Sequence, residues 1–241
     1  GFMLMATPRE LYLEIAKRYQ ETGHPCNLTI MHAAGNGNNK DQGIYDMTYE
    51  GLITRYITGH FANNSRMMDL TNENKVAAYN FPQGVIAHMF RAAAAGKPGE
   101  ITRIGLNTFC DPRLQGGRLN DAASENLVEL VDILGEEFLL YKVPKLDIGL
   151  IRGTTADEHG NITMEEEGAP VDALDVAMAV KAMGGKVIVQ VKNYVSGASI
   201  DRSSVVIPGN LVDAVVVSEN PLENHRQTPG SYYNPVLSGH Y

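Results

Sequence analysis

AAYNFPQGVIAHMF, residues 77–90, reads as the end of a strand, a sharp turn and the start of a helix. Pro82 holds its own φ near the helical value and has no N–H to lose, which suits a first helical turn. Asn80, two residues ahead, stands where a cap is expected. Gln83 then falls where backbone N–H groups lack intrahelical partners and partial positive charge gathers. Its amide is neutral and both donates and accepts, so it can meet an oxyanion or hold a carboxylate. The plainer reading is a capped helix start with a solvated glutamine.

Outward from this stretch, the chain alternates strands and helices. Residues 7–20 are amphipathic, with Leu11, Ile15 and Tyr19 at helical spacing, Thr7-Pro8 as a start signal and Gly23 as a stop. NLTIMH (residues 27–32) is a strand that runs into the Gly- and Asn-rich loop AAGNGNNKDQG. That loop lacks the Gly-Lys-Ser/Thr of a phosphate loop. Residues 49–54 read as a short helix, 55–61 as a strand and 66–76 as a helix. Residues 101–106 are a strand followed by the loop NTFCDPRLQGG.

Residues 127–134 and 137–141 flank Gly135-Glu136, a hairpin signal. LDIGLI (146–151) is apolar at nearly every position, as in a strand covered on both faces. Residues 157–160 are turn chemistry and 161–164 a return strand. Asp172 heads a helix over 173–183, and strands over 186–192 and 214–217 complete the set. The expected fold class is α/β: a mostly parallel open sheet with helices on both faces and an inserted β hairpin, residues 1–241 forming one domain. Ligands of such sheets bind beyond the carboxyl ends of the strands. The loop after residue 32, Gln83 and the loop after residue 106 all stand in that position.

Composition narrows the function classes. With 44% apolar and 20% charged residues, 241 residues can bury a sizeable core. Net charge is −8 with no Lys/Arg cluster, against nucleic-acid binding. No apolar run approaches a membrane span, and GFMLMATPRE lacks the flank of a signal peptide. Cys26 and Cys110 offer no metal spacing or disulfide framework and read as buried thiols of a cytoplasmic protein. His60, His88 and His159 lack ligand spacing, and Glu165-Glu166-Glu167 reads as a solvated face. The opening Gly-Phe and the polar, turn-like NPVLSGHY at the end point to a piece of a longer protein. These readings leave the reaction open.

GLNTFCDPRLQGGRLN (residues 105–120), LIRGTTADEHGNITMEEE (150–167) and GGKVIVQVK (184–192) resemble the amino-terminal, or α, half of family I coenzyme A transferases, in the acetate/propionate branch. The resemblance runs from Gly1-Phe2, similar to the end of the family's glycine loop, to Asn234-Pro235, and YNFPQG resembles its glutamine turn. It implies the CoA-transferase fold and a ping-pong transfer of CoA from an acyl-CoA to a short-chain carboxylate through a glutamyl-CoA thioester. Gln83 would serve as oxyanion donor or orient the glutamate. Substrate would lie against Gly1, Phe2, Gly35, Asn107, Thr108 and Phe109. A CoA thioester is the substrate, and no tightly bound cofactor or metal is implied.

No glutamate of this chain stands in the family's Glu-x-Gly context. The nucleophile is therefore expected in a carboxyl-terminal, β-type half that the sequence lacks, as it lacks the family's first strand. The chain alone is expected to be inactive, with that half as its partner and a homo-oligomer as its assembly. Other functions on the same fold are a thioester hydrolase, a sugar-phosphate isomerase or a non-catalytic assembly subunit.

Overall fold

A computed structural model describes residues 1–196, 200–230 and 236. The segment NPVLSGHY, apart from Val236, lies outside the described residues, as does the Asn234-Pro235 end of the resemblance. Helix α1 spans Arg9–Thr22 and is followed by strands β1 (Leu28–His32) and β2 (Ile53–Thr58), helix α2 (Ser65–Asn72), β3 (Ala77–Asn80) and α3 (Gln83–Ala94). Then come β4 (Gly99–Thr102), β5 (Val128–Ile133), β6 (Glu136–Lys142), β7 (Ile148–Arg152), β8 (Thr155–Asp157) and β9 (Ile162–Thr163). Helix α4 (Ala173–Ala182), β10 (Lys186–Val191), β11 (Asn193–Val195), β12 (Val205–Ile207), β13 (Ala214–Val217) and the single turn α5 (Pro221–Asn224) follow.

The α/β class holds. Two three-stranded sheets are parallel throughout, β1-β2-β3 and β13-β10-β7. The hairpin β5–β6 pairs antiparallel with β4, and β11-β8-β9-β12 form a small mixed sheet. The first sheet is covered on both faces. Ile57 and Tyr79 pack with Val85, Ile86, Met89 and Phe90 of α3. Ile53 and Tyr56 pack instead with Tyr12 and Ala16 of α1 and Met67 of α2. A third cluster joins Ile151, Val187 and Val189 to Ala177 and Val180 of α4.

Boundaries differ from the sequence expectation where a local residue decides. Residues 49–54 are not a helix: Gly51 sits at φ 85°, outside helical space, and the β-branched run starting at Ile53 is strand. A 3₁₀ turn, Ile44–Met47, precedes it. Strand β4 stops at Thr102, whose hydroxyl accepts from the N–H of Ile104 and turns the chain. Pro82 is the residue before α3, at φ −56° and ψ 130°, and no side chain caps the helix. Asn80 does not cap it; its amide donates to Thr58 O at 2.9 Å. Asn64 caps α2, accepting from the N–H of Met67 at 3.0 Å. Cys110 is buried, but Cys26 is half-exposed.

The reading of Glu165-Glu166-Glu167 as a solvated face fails at Glu167, whose side chain is 1% exposed and faces an equally buried Arg152. Nε and Nη2 of Arg152 donate to Oε1 and Oε2 of Glu167 at 2.6 Å each. Nη1 donates to the carbonyls of Thr7, Asn224 and Arg226, and Glu167 accepts the N–H of Ala6. One ion pair thus ties β7 to residues 6–7 and 224–226. Among the described residues, no helix is long and apolar enough to cross a membrane.

Candidate active site

Strands β1, β2 and β3 end level. Register sets His32, the last residue of β1, against Thr58, the last of β2, and Thr58 against Asn80, the last of β3. The segments that follow, residues 33–36, 59–64 and 81–83, therefore emerge along one edge. They are packed tightly. A Cβ on Gly59 would lie 2.6 Å from Ala33 O and 2.9 Å from Cα and Cβ of Gln83. One on Gly35 would lie 2.8 Å from both Asn63 Nδ2 and His60 Cδ2. Only glycine lets the three segments meet at these distances.

Gln83 opens α3 at this edge. Its side chain is exposed and makes no hydrogen bond among the described residues. Its amide is therefore available to a ligand, at a helix end where N–H groups favour negative charge. Asn63 is a second such amide. The residue is buried, at 8% exposure, yet its amide has no hydrogen-bond partner among the described residues. Burial pushes the imidazole of His32, beneath the same edge, down to about 4, so it is neutral at pH 7.

The expected substrate residues are brought together unequally. The N–H of Met3 donates to Gly35 O, and the N–H of Gly37 to Met3 O, both at 2.8 Å. Gly1 and Phe2 thus lead directly into the segment that lies on the Gly35 loop. Gly35 and Gln83 contact the same segment, residues 59–63. Phe109 is linked through backbone: its carbonyl accepts the N–H of Gly117, and Gly117 O accepts the N–H of Asn80, three residues before Gln83. Thr108 turns to its own loop, whereas Asn107 is tied to that loop by its backbone alone and its side chain is exposed. The N–H of Asn107 donates to Asp111, and the hydroxyl of Thr108 to Gly105 O. Neither is hydrogen-bonded to Gln83. Cys110 and Met31 pack with the core around Phe81 and Tyr141.

Gly59 and His60 fall inside the strand expected over 55–61, and Asn63 lies just beyond it, so that reading does not single them out for this edge. The signal present was Gly59 itself, since a glycine inside a strand pattern marks close backbone approach.

Residues 1–218 match the family model "Coenzyme A transferase". The chain belongs to the coenzyme A transferase family. It is 45% identical over 239 residues to the caffeate CoA-transferase of Acetobacterium woodii, a match covering 99% of this chain and 45% of that protein. It is 42% identical over 241 residues to the acetate CoA-transferase YdiF of Escherichia coli O157:H7, with 100% of this chain and 44% of YdiF aligned. The crystal structure of the YdiF apoenzyme superposes with a TM-score of 0.92 over 98% of this chain and 45% of that one. YdiF has also been solved as a thioester complex with CoA, which matches with a TM-score of 0.89 and 43% identity over 96% of this chain and 47% of that one. A more distant relative, 24% identical over 219 residues, is the acetate CoA-transferase subunit alpha of E. coli K12; 91% of this chain aligns with 88% of that subunit. This coenzyme A transferase chain thus spans less than half the length of the long curated relatives it matches, and about that of the α subunit.

Proposed function

We propose that residues 1–241 are one α/β domain, the α-type half of an acyl-CoA:carboxylate CoA-transferase of the acetate/propionate type. The observation that carries this reading is the unbonded amide of Gln83 on the first turn of α3, locked against Gly59 where three parallel strands end level. In the proposed cycle, a glutamate carboxylate from a β-type half attacks the thioester carbonyl of the donor acyl-CoA. The C–S bond breaks, leaving an acyl-glutamyl anhydride and CoA thiolate. The thiolate attacks the glutamyl carbonyl and displaces the donor's carboxylate, giving a glutamyl-CoA thioester. The acceptor acid reverses both steps.

Each addition places negative charge on a carbonyl oxygen, and a preplaced amide stabilises that oxygen without reorganising. Gln83 supplies such a donor or holds the glutamate in line. Gly1, Phe2, Gly35, Asn107, Thr108 and Phe109 form the substrate-facing rim in this proposal, with Asn63 added beside Gly35. Support for the thioester step comes from YdiF, solved as a thioester with CoA. Support for a β-type partner comes from the relative called subunit alpha. Apolar side chains exposed on this chain, Ile101, Ile104, Phe109, Leu114 and Leu119 among them, are surface for that partner or for further copies.

The test is an exchange assay on the complete enzyme, with acetyl-, propionyl- and butyryl-CoA against a panel of short carboxylates. Transfer to acetate and propionate, together with no transfer by residues 1–241 alone, is the expected result. Hydrolysis of the thioester without transfer, or exchange by the isolated chain, overturns it.

A further inference from the structure

We propose that His32, Thr58 and Asn80 form a hydrogen-bonded chain across the three strand ends that positions the Gly35 loop, the 59–63 loop and Gln83 for the transfer step. The inference rests on the function proposed above.

The ladder of a parallel sheet fixes its strands but not the loops beyond their last residues. Here the three last residues are polar, aligned by register and linked sideways. Nδ1 of His32 faces Ala34 O and, at 3.2 Å, Oγ1 of Thr58. A carbonyl only accepts, so Nδ1 carries the proton, and Nε2 accepts from the hydroxyl of Tyr56 at 2.6 Å. Oγ1 of Thr58 accepts the N–H of His60 at 3.3 Å, and its hydroxyl points to His60 O at 3.4 Å. The carbonyl of Thr58 accepts twice more, from the Asn80 amide at 2.9 Å and from the N–H of Phe81 at 3.2 Å.

Each link therefore ends on a backbone group one or two residues beyond a strand: Ala34, His60 and Phe81. Each of those groups is one or two residues from a contact point of the site: Gly35, Gly59 and Gln83. His32 and Thr58 are buried, so water does not substitute for a lost link. Tyr56 adds a second brace. It stacks edge-on with His32 and with Phe61, both at 5.2 Å between centroids, tying the far side of the 59–63 loop to the same histidine. A purely structural role predicts that removing the Thr58 hydroxyl costs stability in proportion to a buried hydrogen bond. A positioning role predicts that the loops also loosen and the chemical step slows, because small misplacement of a catalytic group lowers the rate steeply.

The experiment compares Thr58→Val, which keeps the shape and removes the hydroxyl, with Thr58→Ser, which keeps the hydroxyl. In the complete enzyme, Thr58→Val is expected to lower kcat by about tenfold or more with KM nearly unchanged, and Thr58→Ser to restore most of kcat. Amide hydrogen exchange provides the readout that does not depend on activity. Peptides covering residues 33–37 and 59–64 should exchange faster in Thr58→Val than in Thr58→Ser, while 81–86, held by the Thr58 carbonyl that both variants keep, should exchange faster in Asn80→Ala. If Thr58→Val does not fold, Asn80→Ala takes its place and removes only the link to β3, speeding exchange in 81–86. Unchanged exchange in those peptides overturns the inference, as does equal loss of kcat in the valine and serine variants. A complete enzyme that transfers no CoA but shows the exchange pattern removes the proposed reaction and leaves the positioning of the loops intact.

Discussion

Replacing Glu167 by Gln tests the buried ion pair at the base of β7. The substitution keeps the shape of the side chain and removes its charge, leaving the Arg152 guanidinium buried at 1% exposure without a counter-ion. The two 2.6 Å contacts from Nε and Nη2 lose their charge-assisted character, and one of them now meets an amide NH₂ that cannot accept. The N–H of Ala6 loses a carboxylate acceptor as well. Breaking a buried pair by removing one partner costs about 3–5 kcal/mol, because the surviving charge stays desolvated. For a chain of this size each kcal/mol moves the midpoint by about 2–4 °C, so the apparent Tm is expected to fall by roughly 6–20 °C. Differential scanning fluorimetry of the complete enzyme reads this directly. The double variant Arg152→Met/Glu167→Leu removes both charges and should recover a large part of the loss, since a buried pair replaced by apolar groups is often neutral. A Tm shift of under about 2 °C for Glu167→Gln, or a double variant less stable than either single one, refutes the reasoning.

Gln83→Ala is expected to lower kcat and kcat/KM together by about 10²–10³, the scale of one oxyanion donor, while the Tm stays put because the side chain is exposed and unbonded; a loss of stability with kcat intact removes its role. Gly59→Ala drives a Cβ to 2.6 Å from Ala33 O and 2.9 Å from Gln83 Cα, both backbone atoms, so it should cost about 1–3 kcal/mol of stability and lower kcat; a variant with wild-type kcat and Tm rejects the close packing. His32 binds its proton at about 4 in the folded chain and near 6.5 unfolded, so the unfolded state takes up the extra proton between those values. Stability should therefore fall as pH drops from about 6.5 toward 4, with His225, pushed by burial down to about 3, adding in the same direction. Urea midpoints of His32→Gln at pH 7 and 5 should differ less than those of the wild type, and an equal difference rejects the assignment.

What the sequence made legible was local. The β3–α3 turn was readable because Pro82 is stereochemically restrictive and Val85, Ile86, Met89 and Phe90 recur at helical spacing. The hairpin β5–β6 was readable for the same kind of reason, although its turn falls at Leu134-Gly135, one residue earlier than expected. Glu167 was not readable. Its neighbours are acidic and its partner, Arg152, lies on a strand fifteen residues upstream, so no local pattern separates it from Glu165 and Glu166. Gly59 was hidden for a different reason. The run ITRYIT continues into GHF without a break in polarity, and the end of β2 is set by where its parallel neighbours end, a tertiary fact.

Several of the residues that make the family recognisable hold loops. In the DPR motif, Asp111 is 1% exposed and accepts from Nε, Nη2 and the N–H of Arg113 and from the N–H of Asn107. It staples shut the loop that carries Asn107, Thr108 and Phe109. In TADEHGN, Asp157 accepts from the N–H groups of His159 and Asn161 and from the Asn161 amide, and so closes the β8–β9 turn. Arg152, of the same motif region, is the buried cation whose links reach Thr7 and, through Glu167, Ala6. Residues 6 and 7 continue directly from Met3, which is paired with the Gly35 loop. A site assembled from strand-end loops depends on such fixed points, because each loop is free of the ladder that holds its strand. Long motifs of charged and small residues therefore identify the family without naming the chemistry. In the proposed function the chemistry falls instead to side chains that close no loop, Gln83 above all, whose amide makes no hydrogen bond among the described residues.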